Sequence, residues 1–327
     1  MRVFMTLLVD SLRLLRARVL FWITLAISAL AAVLYLSIGF NPEGFSMLFG
    51  AVNVKNEMIR SGSEYAELFY LGIFSKFVVG LWLSWVAVGL ALISCAPIFP
   101  DFMSEGSIGI PLSKPVSRLT LFFSKYVGAL LFVILQVGLF CVIVFIAIRW
   151  RVGTWNPSIF WAVPLVTLVF SYIYSVVVLI SVWTRSVLAA ILAGVVIWFV
   201  AWLGQKGEEM LYMFSHPTGV MADVTAEQQQ DALADMEKWH KVSVAGMAFM
   251  PKTGETMNVM DRLIVVGGKT GFSNSSFLAA LFGQKDEDMN LDKAMARNST
   301  FYVIGSSLGF EAVMLGLAAL IFCRRDY

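Results

Sequence analysis

Six times along this chain an apolar run continues for about as many residues as a helix needs to cross a hydrocarbon layer, and no water-soluble core can absorb that pattern. A bilayer interior of about 30 Å requires roughly 20 residues of helix, and the runs are Val19 to Phe40, Phe77 to Phe99, Tyr126 to Ile148, Ile159 to Trp183, Val187 to Leu203 and Phe301 to Phe322. The composition agrees, with 59% hydrophobic and 14% charged residues, where a soluble domain carries about 25% charged. The expected fold is therefore an all-α membrane protein with six transmembrane helices. The tight Thr184, Arg185, Ser186 connection makes spans four and five a helical hairpin. The 24 basic and 22 acidic residues nearly cancel, so no nucleic-acid partner is implied.

Charge placement orients the spans. With the N terminus cytoplasmic, the inner side receives Arg2, Arg13, Arg16, Arg18, Lys114, Arg118, Lys125, Arg185, Arg324 and Arg325, against Lys55, Arg60, Lys76, Arg149 and Arg151 outside. That excess places both termini in the cytoplasm. Residues 1–18 are expected to form an interfacial amphipathic helix, with Phe4, Leu7, Leu8, Leu12 and Leu15 on one face and Arg2, Arg13 and Arg16 opposite. Spans one to five then occupy 19–203. Residues 204–300 form a long extracytoplasmic insertion, and 301–327 hold the sixth span and a cytoplasmic tail.

Between the second and third spans lies a polar island, Pro100 to Lys125, containing Asp101, Glu105, Lys114, Arg118 and Lys125. These residues cannot lie in lipid and must face water or a protein. At 26 residues the connection is longer than two adjacent spans require. Pro115 fits the first turn of a short helix, where it stiffens a lever that a soluble motor could push. Arg118 can form a bidentate pair with a partner carboxylate. Snorkelling of Lys114 and Arg118 to lipid phosphates is the alternative.

The run Glu105-Gly-Ser-Ile, then Leu112-Ser-Lys-Pro-Val-Ser-Arg118 and Ser124-Lys-Tyr-Val-Gly128, resembles the first cytoplasmic loop of type-2 ATP-binding cassette (ABC) permeases. The ending Ala319-Leu-Ile-Phe-Cys-Arg-Arg-Asp-Tyr327 is similar to the aromatic, double-arginine, aspartate ending of that family. The resemblance implies a non-enzymatic permease subunit of an exporter in the bacterial inner membrane, paired with a second copy of itself and served by a separate ATPase subunit that holds the ATP and Mg. It assigns Glu105, Gly106 and Ser107 to a coupling element, and Lys114, Pro115 and Arg118 to the return toward the membrane. Two departures stand out: Ser124 replaces a frequent glycine, and the insertion of 97 residues suggests an added extracytoplasmic partner. The hydrophobic bundle favours a lipidic or amphipathic substrate. The rival expectation is a scaffold or mechanical transmitter that recruits an outer protein and moves no solute.

Other motifs fail on their geometry. Gly268-Lys269-Thr270 lacks the glycine five residues earlier that a phosphate loop needs, since position 263 is Leu. Asp286, Asp288, Asn290 and Asp292 have calcium-loop spacing, but Leu291 and Arg297 occupy the glycine and glutamate positions. Gly305-Ser306-Ser307-Leu308-Gly309 matches a hydrolase elbow but lies inside a span, so Gly305 and Gly309 read as a helix-packing face. No metal or cofactor is expected in the chain. The three cysteines, Cys95, Cys141 and Cys323, sit in or beside spans, leaving the insertion without a disulfide framework. Within the membrane, Glu311 is expected to line a translocation path, contact a proton or cation, or make a structural hydrogen bond; Gln136 is expected to make an interhelical hydrogen bond or to line the same path. In the insertion, Thr225 to Gln228 opens a helix running to about Val242, in a segment with nine basic and thirteen acidic residues.

Overall fold

The computed structural model describes residues 13, 19–56, 59–104, 116–215, 238–239, 244, 246–266, 269–270 and 298–325. The interfacial helix of 1–18 (apart from Arg13), the coupling residues Glu105, Gly106, Ser107, Lys114 and Pro115, the helix opening at Thr225 and the acidic run at Asp286 lie outside the described residues.

The protein is mostly helical. In chain order come α1 (Val19–Leu36), β1 (Gly39–Asn41), β2 (Gly44–Met47), β3 (Val52–Lys55), α2 (Glu64–Ile73), a π-helical stretch (Phe74–Ala87), α3 (Val88–Cys95), α4 (Ile98–Phe102), α5 (Arg118–Arg151), α6 (Ala162–Thr184), α7 (Val187–Ser215), α8 (Thr253–Leu263), the two-residue strands β4 (Val265–Val266) and β5 (Lys269–Thr270), and α9 (Thr300–Arg324). Among the described residues, five helical segments are long and apolar enough to cross a membrane: Tyr65–Phe102, Arg118–Arg151, Pro157–Thr184, Val187–Glu208 and Thr300–Arg324. The apolar part of α1, Phe21–Leu36, is shorter. The first run was expected to continue to Phe40, but the helix stops at Leu36 and the chain turns into a sheet.

That sheet, of antiparallel order β1-β2-β3, and the two-stranded β4-β5 hairpin depart from the all-helical fold expected from hydropathy. Asn41, Pro42, Glu43 and Gly44 make the first turn. A Cβ on Gly44 would come within 2.1 Å of the Val54 carbonyl oxygen, and its φ of +154° suits glycine. Beyond the sheet, Ser63 caps α2 by accepting a hydrogen bond from the Ala66 amide at 3.2 Å. The cap starts the helix well before the apolar run does.

Helix boundaries elsewhere also follow capping more closely than hydropathy. Ser117 caps α5 through the Thr120 amide at 3.1 Å, and α5 runs for 34 residues, about 51 Å at 1.5 Å per residue. Arg185 takes a left-handed φ of 56° and its amide closes on the Ser181 carbonyl at 2.9 Å, which ends α6. The Ser186 hydroxyl then accepts from the Ala189 amide at 3.3 Å and starts α7. Gly194 lets these two helices meet closely, since a Cβ there would lie 2.6 Å from Val177 Cγ2.

The core is centred on α6, whose Phe170, Tyr172, Ile173 and Tyr174 are fully buried. Stacked rings carry it sideways: Tyr174 lies 5.0 Å from Phe170 and 5.7 Å from Tyr126 on α5. The bundle has two ends, one bearing Arg118, Arg185 and Arg325, the other Arg151, Pro157 and Thr300.

Candidate functional site: a polar seam tying three helices

A helix ends with carbonyl groups that lack intrahelical partners, and in an apolar bundle each needs another donor. At the Arg118 end, arginines supply them. Arg118 Nη1 donates to the carbonyls of Cys323 at 2.9 Å and Arg325 at 2.8 Å, closing the end of α9. Arg325 Nη1 in turn donates to the carbonyls of Val182 and Trp183, closing α6. At the opposite end Arg151 Nε does the same for α1, donating to Leu36 O at 3.0 Å. Guanidinium charge also suits the negative pole of a helix.

Both ends of the polar island are held on this junction. On the near side, Phe102 of α4 stacks against Phe322 of α9 at 6.2 Å, and Phe99 contacts Phe122 of α5 at 5.2 Å. On the far side Arg118 opens α5. Lys125 is 6% exposed, with its ammonium 5.3 Å over the Phe102 ring, an arrangement that offsets part of its burial.

Two turns further into the bundle the same three helices are tied again. Glu311 of α9 accepts a hydrogen bond from the Tyr126 hydroxyl of α5 at 2.6 Å and another from the Ser171 hydroxyl of α6 at 2.7 Å. Nearby, the fully buried Tyr172 hydroxyl faces Thr256 and Ser307 without completing a hydrogen bond to either. Ser307 is itself spent: its hydroxyl donates to Val303 O at 2.8 Å and accepts from the Lys252 amide at 2.9 Å. Replacing Glu311 with Gln exchanges one of two acceptor oxygens for a donor and removes the charge from both hydrogen bonds, and a loss of about 1–2 kcal/mol is expected. Thermal midpoints of Glu311→Gln, Ser171→Ala and the double variant check this. A double loss equal to the sum of the singles would show that the two groups do not interact.

At the other end α8 packs against α6, α7, α9 and the π-helical stretch. Its Thr253, Thr256, Met257, Val259 and Met260 are buried. Its N-terminus reaches the level of Ser307, seven residues beyond the start of α9, or about 10 Å along that helix. The 204–300 segment thus contributes a helix packed among the apolar helices. Asp261 fixes it, accepting from the Ser75 hydroxyl and pairing with the Lys76 ammonium in the π-helical stretch. Gln205 of α7 holds its start, donating to Pro251 O and accepting from the Gly254 amide, both at 2.9 Å.

Of the residues singled out from sequence, Arg118 and Glu311 belong to this seam. Gln136 does not: it lies on α5 and its amide donates to Ser28 of α1 at 3.1 Å, with its oxygen unpaired among the described residues. Gly305 and Gly309 are exposed on α9, and nothing within 4 Å would meet a Cβ at either. Lys269 and Thr270 pair with Val266 and Val265 in a small hairpin. Among the described residues no cluster of His, Cys, Asp or Glu could hold a metal ion. Sequence reasoning did not assign Arg325, Tyr126, Ser171 or the Lys76–Asp261 pair to a site, although Arg325 and Lys76 entered the charge count. Charged residues at the margins of apolar runs were the available signal.

The architecture defines a multi-pass helical membrane protein. No protein-family model matches the chain, and no curated protein matches it.

Proposed function

We propose that this chain is the membrane-spanning permease subunit of an ABC transporter, paired with a second copy and driven by a separate ATPase subunit carrying ATP and Mg. The observation that carries this reading is the double tie of α5, α6 and α9, by Arg118 and Arg325 at one end and by Glu311 deeper in. A push on the loop anchored by Phe102 and Arg118 would reach three helices together. In this reading the Arg118 end and both termini are cytoplasmic, the membrane is a bacterial inner membrane, and lipidic or amphipathic substrate moves outward between the protomers.

A mechanical transmitter without solute transport is the second reading. It is favoured by α8, which packs on α6, α7, α9 and the π-helical stretch. Helix movement in the bundle would be carried directly into the 204–300 segment, where an extracytoplasmic partner would feel it.

Purification in mild detergent, identification of an ATP-binding partner and assay of vanadate-sensitive ATPase activity test the shared premise. Glu105→Lys is the informative variant, because Arg118 also closes α9. It is expected to leave insertion and thermal stability unchanged and to weaken partner binding or coupling about tenfold, the equivalent of one lost polar contact of about 1.4 kcal/mol. Full coupling and assembly in Glu105→Lys would overturn the docking role of the loop.

A further inference from the structure

At the Arg151 end, a cleft of about 830 Å³ is lined by Glu67, Trp155, Asn156, Ser158, Trp161 and Arg262, among others. Its volume falls within the range of about 300–1,000 Å³ usual for small-molecule sites. The walls place it at the edge of the bilayer. Glu67 lies near the start of the Tyr65–Phe102 span, and Trp155 to Trp161 lead into the Pro157–Thr184 span. Arg262 donates to Asn298 O at 2.8 Å and to the Thr300 hydroxyl at 3.3 Å, where the last span begins. Trp155 and Trp161 are 60% and 51% exposed, as tryptophans at the headgroup level are.

The cleft is built before any ligand arrives. Asn156 is 5% exposed; its amide donates to Val265 O at 2.6 Å and its oxygen accepts from the Ser158 amide at 3.2 Å. This joins the start of α6 to the end of the α8 segment and fixes the floor. Glu67 accepts from the Thr154 hydroxyl at 3.3 Å and has no cationic partner among the described residues. A carboxylate lining the same cleft as exposed indole rings suits an ammonium group. Arg262, also in the lining, suits a phosphate.

We propose that this cleft binds the headgroup of a zwitterionic phospholipid, with its ammonium against Glu67 and Trp161 and its phosphodiester against Arg262. An anionic headgroup would face Glu67 without compensation, so the charges select a lipid carrying both signs. The acyl chains would continue down the outside of the bundle. The inference is independent of the ATP-driven reading, because it uses only the cleft and its level in the membrane.

The test is native mass spectrometry of the delipidated full chain in detergent, titrated separately with phosphatidylethanolamine, phosphatidylcholine and phosphatidylglycerol of matched chains. The expected result is a saturable adduct with the zwitterionic lipids, about tenfold preferred over phosphatidylglycerol, and competed by chain-free glycerophosphoethanolamine. Preference for the ethanolamine or the choline lipid then tells a primary from a quaternary ammonium. Glu67→Gln keeps an acceptor for Thr154, so its thermal midpoint should hold while the preference disappears; Trp161→Ala should weaken the adduct about tenfold. Equal binding of zwitterionic and anionic lipids by the unaltered chain would overturn the proposal. So would a preference that survives in both variants, or a failure of glycerophosphoethanolamine to compete.

Discussion

Replacing Asp261 with Ala lowers stability by about 3–5 kcal/mol, the cost of leaving one member of a largely buried ion pair without the other. The Asp261 and Lys76 side chains are 11% and 24% exposed, and Asp261 also accepts the Ser75 hydroxyl. Removing the carboxylate therefore takes the Asp261 partner from both the Lys76 ammonium and the Ser75 hydroxyl. The effect should be felt on α8, whose other polar ties are to Gln205 and Ser307 at its start and, through Arg262, to Asn298 and Thr300 at its end. A cysteine placed at the buried Met257 should react with a maleimide much faster in the Asp261→Ala background. Lys76→Met with Asp261→Leu should cost less than either single change, because a matched apolar pair leaves no orphaned charge. If the double variant is as unstable as the singles, and Met257→Cys reacts no faster, the pair is not what holds α8 in place.

Arg325→Ala is expected to cost about 2–3 kcal/mol, since charge-assisted hydrogen bonds contribute about 1.5–3 kcal/mol and two carbonyls at the end of α6 lose their donor. The damage should be local first. Hydrogen exchange should accelerate at the last turn of α6 and the first of α7, on either side of Arg185. Arg325→Lys should recover part of the protection, because an ammonium can reach one carbonyl but lacks the planar fork. Under the transporter reading, Arg325→Ala should also keep the ATPase partner bound while losing coupling, since the loop is intact but one of its three helices is released. Unchanged exchange around Arg185 would show that Arg325 does not support that helix end.

Much of the membrane architecture was legible from hydropathy, and the places where it misled are instructive. The apolar run from Val19 continues through Ile38 and Phe40, yet Gly39 and the Asn41-Pro42 pair cannot sustain a helix, and Leu36 ends it. Conversely, Glu64 and Glu67 fall outside the second apolar run but are helical because Ser63 caps the turn. In the site, Glu311 declared itself as a carboxylate in an apolar segment. Its partners did not: Tyr126 and Ser171 are ordinary in their own sequence surroundings and become significant only across a helix contact.

The arginines show the same division. Their number and placement follow from the sequence and set the expected orientation of the spans through the excess of cations on one side. Which carbonyls they close depends on packing, since Arg118 and Cys323 are 205 residues apart. Sequence by itself determined that this chain must fold as a helical bundle in a membrane, because no other arrangement satisfies so much apolar surface and backbone together. The tertiary structure alone decided that α8 enters the bundle, that α5, α6 and α9 are tied twice, and that Glu67 and Arg262 share a cleft. Hydropathy is a property of each segment summed along the chain. A hydrogen bond or an ion pair requires two groups within about 3 Å, and that proximity exists only once the helices have packed.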